Sequence, residues 1–342
     1  MKNASNILVT GGAGFIGSHT VVSLIEQGFN PVIVDDFRNS EKRVLKGIEQ
    51  ITGRIPEVHE VDVVDKDAMR AVFQQYDFEG IVHFAAYKAV GESVREPLMY
   101  YRNNLVSLMN CIELCEEFQV KNFVFSSSCT VYGEPDDILV RETTPSKPAN
   151  SPYGQTKQFS EQILKDAIAS NNGLRVLCLR YFNPIGAHQS SAIGELPIGV
   201  PNNLVPYVTQ TAIGKLDQLT VFGDDYNTPD GSCIRDYIHV MDLAEAHIHG
   251  LKWLTGQEDN TYQVVNAGTG VGVSVLEIIH TFEKLTGSNL NWKIGPRREG
   301  DVSQIYADPN LAAKLLGWKT KRSIDDSLRD AWNWEQKLAN EE

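Results

Sequence analysis

The chain lacks any apolar run approaching the roughly 20 residues a membrane-spanning helix needs, so no membrane segment is expected. Cysteine is sparse and poorly arranged for cross-linking or metal binding: Cys111, Cys115, Cys129, Cys178 and Cys233 make an odd set with no Cys-x-x-Cys pair. The one close pair, Cys111 and Cys115, has helical spacing, so packed thiols in a reducing cytoplasm are expected, with neither disulfides nor a bound metal. Positive charge is also short: 31 Lys+Arg against 44 Asp+Glu leave a formal net charge of -13. That argues against a nucleic-acid or anionic-membrane surface, both of which need clustered positive charge. An anionic small molecule is still admissible, provided a few local arginines bind it. There is no internal repeat and no low-complexity tract, and the start, Met1 to Asn6, is short, polar and unlike a signal peptide. A soluble, cytoplasmic protein is the expectation.

What is present is ordinary for a globular enzyme: 42% hydrophobic and 22% charged residues over 342 positions, enough for about two domains. The first half alternates β-rich runs with helix-period stretches. This predicts strands near 6–10, 31–35, 57–61, 80–84, 121–126 and 174–180, and helices near 15–27, 41–52, 66–75, 94–118 and 153–170. Ile81-Val82-His83-Phe84 and Phe123-Val124-Phe125 are near-continuously apolar, as strands covered on both faces should be. After about residue 181, Pro184, Gly186, Gly194, Pro197, Gly199, Pro201 and Pro206 crowd a loop-rich stretch, and a last helix is expected near 323–338. The fold class is therefore α/β. A Rossmann-type doubly wound parallel sheet is expected in residues 1–181, and a smaller, loop-rich substrate unit in 182–342, with crossing of the chain between them allowed.

The first strand runs into Gly11-Gly12-Ala13-Gly14-Phe15-Ile16-Gly17. A turn this tight needs positive φ, a pyrophosphate needs backbone without Cβ, and the helix that follows supplies N–H donors at its start. The second strand ends at Asp35, about 20 residues on, where a carboxylate can accept from the adenine ribose hydroxyls. The third ends at Asp62-Val63, placed to meet the adenine edge. Asp35 and its neighbour Asp36 would repel a 2′-phosphate, which favours NAD over NADP, although Arg38 lies close by.

Tyr153-Gly154-Gln155-Thr156-Lys157 places a phenol and an ammonium on one helix face. A free phenol, with pKa about 10, is a poor base at neutral pH, and a lysine one turn away stabilises the phenolate. The pair follows a strand ending in Ser126-Ser127-Ser128, at the sheet edge where ligands bind. Ser128 is the third candidate, hydrogen-bonding the reacting oxygen.

Together, these motifs resemble the extended short-chain dehydrogenase/reductases that act on nucleotide sugars. The similarity is greatest to members that invert the fourth carbon of a UDP-hexose, and it runs over essentially the whole chain. Its signatures are His83 to Ser93, Tyr181-Phe182-Asn183-Pro184, Pro201-Asn202-Asn203-Leu204, Arg235 to Val240, and Pro296 to Asp301. The resemblance implies exchange of UDP-glucose and UDP-galactose through transient oxidation at C4, with tightly bound NAD and a 4-keto intermediate. Tyr153 would move the hydroxyl proton, assisted by Ser128 and tuned by Lys157.

It also implies NAD contacts at Phe15, Ile16, Asn39, Ser40, Phe84, Ala85, Lys88, Asn103, Ser126, Tyr153, Lys157 and Phe182, with Lys157 able to hold a ribose hydroxyl of the cofactor. On the substrate side, Lys88, Asn183, Asn203, Leu204, Arg235 and Arg298 would hold sugar and diphosphate, Phe222 would pack on uracil, and Asp301 would accept from its ribose. Read without the resemblance, Arg235 and Arg298 could equally pair with the adjacent Asp236 and Glu299. Members with tyrosine at the position of Ile305 prefer plain hexoses, while those with a small residue also take N-acetylhexosamines; Ile305 is intermediate. A homodimer through 94–118 and 153–170 is implied too, although apolar faces there must in any case cover the sheet.

Three other readings compete with this one. A 4,6-dehydratase supplies Asp-Glu after the strand serine for acid–base work, whereas here Cys129-Thr130 follow. A uronate epimerase or decarboxylase needs a basic group for the sugar carboxylate. An NAD-sensing regulator without turnover usually lacks the tyrosine or the lysine, and both are present.

Overall fold

The computed structural model describes residues 4–170, 172–298 and 302–341. Alternating apolar strands and helices fold in order as β1 (Asn6–Thr10), α1 (Phe15–Glu26), β2 (Asn30–Asp35), α2 (Arg43–Thr52), β3 (Glu57–Glu60), α3 (Lys66–Phe73) and β4 (Phe78–His83). There follow α4 (Val90–Arg95), α5 (Pro97–Glu117), β5 (Asn122–Ser128), the short β6 (Leu139–Val140), α6 (Pro152–Ala169) and β7 (Arg175–Tyr181). The second half holds β8 (Asn183–Ile185), α7 (Leu204–Ala212), β9 (Leu219–Phe222), β10 (Ile234–His239), α8 (Val240–Leu254) and β11 (Tyr262–Ala267). It ends with β12 (Gly272–Ser274), α9 (Val275–Thr286), β13 (Trp292–Gly295), β14 (Gln304–Ala307), α10 (Asn310–Leu316) and α11 (Ile324–Glu341).

Seven parallel strands form the main sheet in the order β11-β7-β5-β4-β1-β2-β3. Strand order runs outward in opposite directions from β1 and β4, and in such sheets ligands bind at the strands' carboxyl ends at this point. Alternate residues of one strand serve opposite faces. Ile7 and Val9 of β1 pack with Val21 of α1 and Leu243 of α8, while Leu8 packs with Leu108 of α5 and Leu164 of α6. Burial on both sides is why these strands read as unbroken apolar runs.

One feature departs from the reading above. The helix expected at 94–118 is two helices, broken at Glu96, whose φ of -125° and ψ of 55° are not helical. Pro97 causes the break: it excludes the preceding residue from helical geometry and starts a new helix where no N–H donor is needed. Strand β11 lies in the main sheet beside β7, and α8 packs against α1. The second unit comprises the path β12-β10-β14-β6 with β8 beside β10, the separate pair β13-β9, and a core around Val208, Phe282 and Leu328. Since β6 joins that unit from the first half, the chain crosses in both directions. No helix among the described residues is long and apolar enough to cross a membrane. All five cysteines are free thiols.

Candidate active site

The glycine turn is shaped by close approaches. Gly11 has φ +68°, and a Cβ there would lie 2.9 Å from the Ala85 nitrogen; one on Gly17 would lie 2.2 Å from the Gly11 carbonyl oxygen. Helix α1 then begins at Gly14 with no side-chain cap and no acidic residue in its first turn. Its N–H groups and the positive end of its dipole are left for an anion. Asp35 is buried at the end of β2. Its Oδ2 accepts from Ala13 N (2.9 Å) and its Oδ1 from Phe37 N (3.0 Å) and Ser40 Oγ (2.8 Å). Burial raises the Asp35 pKa, and these donors work against that shift. Asp62 accepts from Val64 N (2.9 Å) and Arg38 Nη2 (2.5 Å), with Val63 buried beside it and Asn39 exposed at the rim. Phe84 and Ala85 follow β4, and the Phe84 ring centroid is 4.7 Å from that of His247. Asn103 donates to Asn104 (3.0 Å), which in turn holds both backbone polar groups of Tyr87. An uncapped helix start, a cradle that a Cβ would fill and an acid at the second strand's end fit a dinucleotide with an unphosphorylated adenine ribose.

Ser151 caps α6 by accepting from Gly154 N (3.1 Å), with Pro152 at its first position. This fixes the helix start so that Tyr153 and Lys157 face the end of β5. Lys157 Nζ donates to the Ser126 carbonyl (2.6 Å) and lies 4.9 Å from the Phe125 ring centroid and 5.9 Å from that of Tyr153. Tyr153 faces the Ser128 side chain. Burial pushes its phenol up to about 12, and the Ser128 hydroxyl acts in the opposite direction. Burial pulls Lys157 down to about 8, opposed by the fields of Cys178 and Glu161. The three serines therefore separate by task. Ser126 gives its carbonyl to Lys157 and its hydroxyl to Tyr181, Ser127 donates to Glu161, and Ser128 meets Tyr153. The Ser128 oxygen also caps the short turn Cys129–Tyr132.

On the substrate side, Phe182 is buried with Ile305, Tyr132 and Val140, and Asn183 opens β8 beside Tyr237 of β10. Arg235 Nη1 donates to the Ile234 carbonyl (2.9 Å), and its charge lowers the pKa of the Cys129 thiol, which burial raises to about 11. Asp236 accepts from Thr269, Gly270 and Ala307. Asn203, just before Leu204 at the start of α7, donates to Glu195 Oε1 (2.5 Å), and Lys88 Nζ stands 3.5 Å from the same oxygen. Phe222, at the end of β9, is 44% exposed with the Arg298 guanidinium 5.8 Å from its ring centroid. Asp301 lies outside the described residues.

Glu195, Glu161 and Arg180 were missed in the sequence. Glu161 could have been found, because it continues the Tyr153/Lys157 face by one more turn. Glu195 gave no signal, since its partners come from distant segments.

A doubly wound sheet with this glycine turn and a Ser/Tyr/Lys set at its carboxyl edge defines a dinucleotide-dependent extended short-chain dehydrogenase/reductase. The family model described as GDP-mannose 4,6 dehydratase matches residues 8–331. The UDP-glucose 4-epimerase of Bacillus subtilis (strain 168) is 48% identical over 335 residues, 98% of each chain. The solved structure of UDP-glucose 4-epimerase from Bifidobacterium longum, in complex with NAD+ and UDP, superposes with TM-score 0.94 at 44% identity over 98% of this chain and 99% of that one. The Stenotrophomonas maltophila enzyme, with bound NAD and formylated UDP-arabinopyranose, gives 0.96 at 45% identity over 99% and 100%. This chain belongs to the UDP-glucose 4-epimerase family.

Proposed function

We propose that the protein interconverts UDP-glucose and UDP-galactose by transient oxidation at sugar C4, with NAD held throughout the cycle. The observation that carries this reading is the meeting of Tyr153, Ser128 and Lys157 at the carboxyl end of β5, on the same sheet edge as the glycine turn after β1. The C4 hydrogen has no neighbouring carbonyl to acidify it, so direct proton removal is prohibitive and oxidation is the practical route. NAD held by the residues named below would supply the hydride acceptor and donor at C4, and the 4-keto sugar must turn over in the pocket for hydride to reach its opposite face. Tyr153 takes and returns the hydroxyl proton, Ser128 hydrogen-bonds the reacting oxygen, and Lys157 lowers the free energy of the phenolate. Gly11, Gly14, Phe15, Ile16 and Gly17 cradle the pyrophosphate, and Asp35 and Ser40 hold the adenine ribose. Asn39, Asp62 and Val63 border the adenine, while Phe84, Ala85, Lys88, Asn103, Ser126 and Phe182 line the cofactor's other half. Asn183, Asn203, Leu204, Arg235 and Arg298 receive the UDP-sugar, Phe222 stacks on uracil, and Asp301 takes the uridine ribose. Planar guanidinium forks suit the diphosphate oxygens.

Residues 1–181 supply most of the NAD unit and 182–342 most of the nucleotide-sugar unit. The protein acts as a homodimer: α5 and α6 leave Leu98, Met99, Met109 and Phe159 exposed, an apolar area suited to a second copy. A cytoplasmic location suits five unpaired thiols. The test is incubation of purified protein with UDP-galactose, without added cofactor, and chromatography of the product beside Tyr153→Phe. UDP-glucose formed by wild type alone supports the assignment. No conversion by well-folded protein even with added NAD rejects it.

A further inference from the structure

The helix face carrying Tyr153 and Lys157 continues, four residues on, to Glu161. Glu161 is 4% exposed and its partner Arg180 5%. The guanidinium grips the carboxylate at two points, Nε to Oε1 at 2.8 Å and Nη2 to Oε2 at 2.5 Å, and the Ser127 hydroxyl donates to Oε1 at 2.6 Å. Arg180 of β7 stands directly opposite Ser127 of β5. Its guanidinium lies 4.8 Å from the Tyr132 ring centroid, and the Tyr132 hydroxyl donates to Asn266 of β11 at 2.6 Å. One carboxylate thereby joins α6 to β5 and β7. Helix face and strand end match residue for residue: Tyr153 with Ser128, Lys157 with Ser126, Glu161 with Ser127.

A buried pair of this kind contributes little net stability, because desolvating two ions offsets their attraction; apolar replacements of similar volume are often as stable. Its position suggests another role. Lys157 is buried, which disfavours its charge, and the groups that oppose this are Cys178 of β7 and Glu161 of its own helix. The other titratable and charged neighbours offer no help. Tyr153 is a neutral phenol, His83 of β4 is kept neutral by burial, and Arg180 carries a like charge already committed to Glu161.

We propose that Glu161, clamped by Arg180 and Ser127, is a positioning residue that holds the Lys157 turn against β5 and sets a carboxylate one helical turn beyond the Lys157 ammonium. This rests on the reading of Tyr153 and Lys157 as the acid–base pair. Glu161→Gln keeps the shape and removes the charge, while Glu161→Gln with Arg180→Met removes the pair and leaves no ion unpaired. Both should lower kcat for UDP-galactose at least tenfold while KM stays within threefold. Loss of the carboxylate makes Lys157 shed its proton at lower pH, so the alkaline limb of the kcat profile should move down by a pH unit or more. Glu161→Asp, which retains the charge, should recover the limb's position, and Ser127→Ala should shift it slightly in the same direction as Glu161→Gln. Direct titration of stripped protein with NAD across pH 6–10 provides a readout free of the sugar, in which affinity should fall off earlier in the variants. If the double variant keeps the wild-type kcat, pH profile and NAD titration and alters only the melting temperature, the pair is structural and the proposal fails. If wild type turns over no UDP-hexose, the activity reading fails by itself, and the NAD titration decides this one: a shifted fall-off supports it, an unshifted one overturns it. Should Glu161→Gln not fold, the double variant and Ser127→Ala carry the test.

Discussion

Two alanine substitutions in the glycine turn should have opposite signatures, although both replace a hydrogen by a methyl. A Cβ on Gly17 would stand 2.2 Å from the Gly11 carbonyl oxygen and 2.9 Å from the Gly12 Cα, both backbone atoms. No side chain can swing away, so the turn itself must move by about 1 Å. Overpacking of this severity costs about 1–3 kcal/mol. In a domain of this size that lowers Tm by roughly 2–4 °C per kcal/mol. The displaced turn also no longer presents its N–H groups to a pyrophosphate, and each 1.4 kcal/mol lost there weakens binding tenfold. Gly14 differs. Its φ of -73° and ψ of 175° suit alanine, and the one close neighbour of a Cβ there is the Gly11 oxygen at 3.2 Å. Gly14→Ala should leave the apoprotein's Tm within about 2 °C of wild type, helped by a smaller entropy loss on folding, while its methyl obstructs the anion site. Calorimetric NAD titration of stripped protein and thermal melts of the same samples separate the two cases. Gly17→Ala should lose both stability and affinity, and Gly14→Ala affinity alone, each by about ten- to a hundredfold. Wild-type affinity in both variants, or equal loss of Tm in both, would refute the steric account of the turn.

Further expectations follow from single groups. Tyr153→Phe should lower turnover by about 10²–10⁴-fold, the usual worth of a positioned acid–base group, with NAD content unchanged in extracted protein. His19, His83 and His247 are buried with pKa values lowered to about 3, 3 and 4. The unfolded chain takes up protons below about 6.5 that the folded chain refuses, so these groups remove stability as pH falls from about 6.5 toward 4. Urea melts should show this slope, and His247→Gln should reduce it by close to one proton; an unchanged slope would exclude His247 as a contributor. Ile305 is 5% exposed against Phe182 and Tyr132. Ile305→Gly should raise kcat/KM for UDP-N-acetylgalactosamine relative to UDP-galactose, and Ile305→Tyr should lower it. Leu98→Asp should shift the protein toward monomer in light scattering, with NAD still bound; an unchanged mass would place any dimer contact elsewhere.

Much of the framework was legible in residue order because its determinants are local. The apolar runs around Ile81 and Phe123 announce buried strands, the spacing of Gly11, Gly14 and Gly17 announces a tight turn before a helix, and Tyr153 with Lys157 share a face through helical spacing alone. Pro97 was legible too, yet the expected helix ran through it, because amphipathic periodicity carries across a one-residue break. What only the tertiary structure decided depends on partners distant in sequence. Strand β11 joins the main sheet some 80 residues after β7, its sheet neighbour, and no periodicity in Tyr262–Ala267 says where it pairs. The tasks of Ser126, Ser127 and Ser128 differ although the residues are identical, because each meets a different group from α6 or β7. Asp35 and Glu161 are both acids, but one braces the glycine turn and the other is locked to Arg180. Sequence fixes which groups are available and their local spacing, whereas burial and the neighbour across the sheet set their charge and their use.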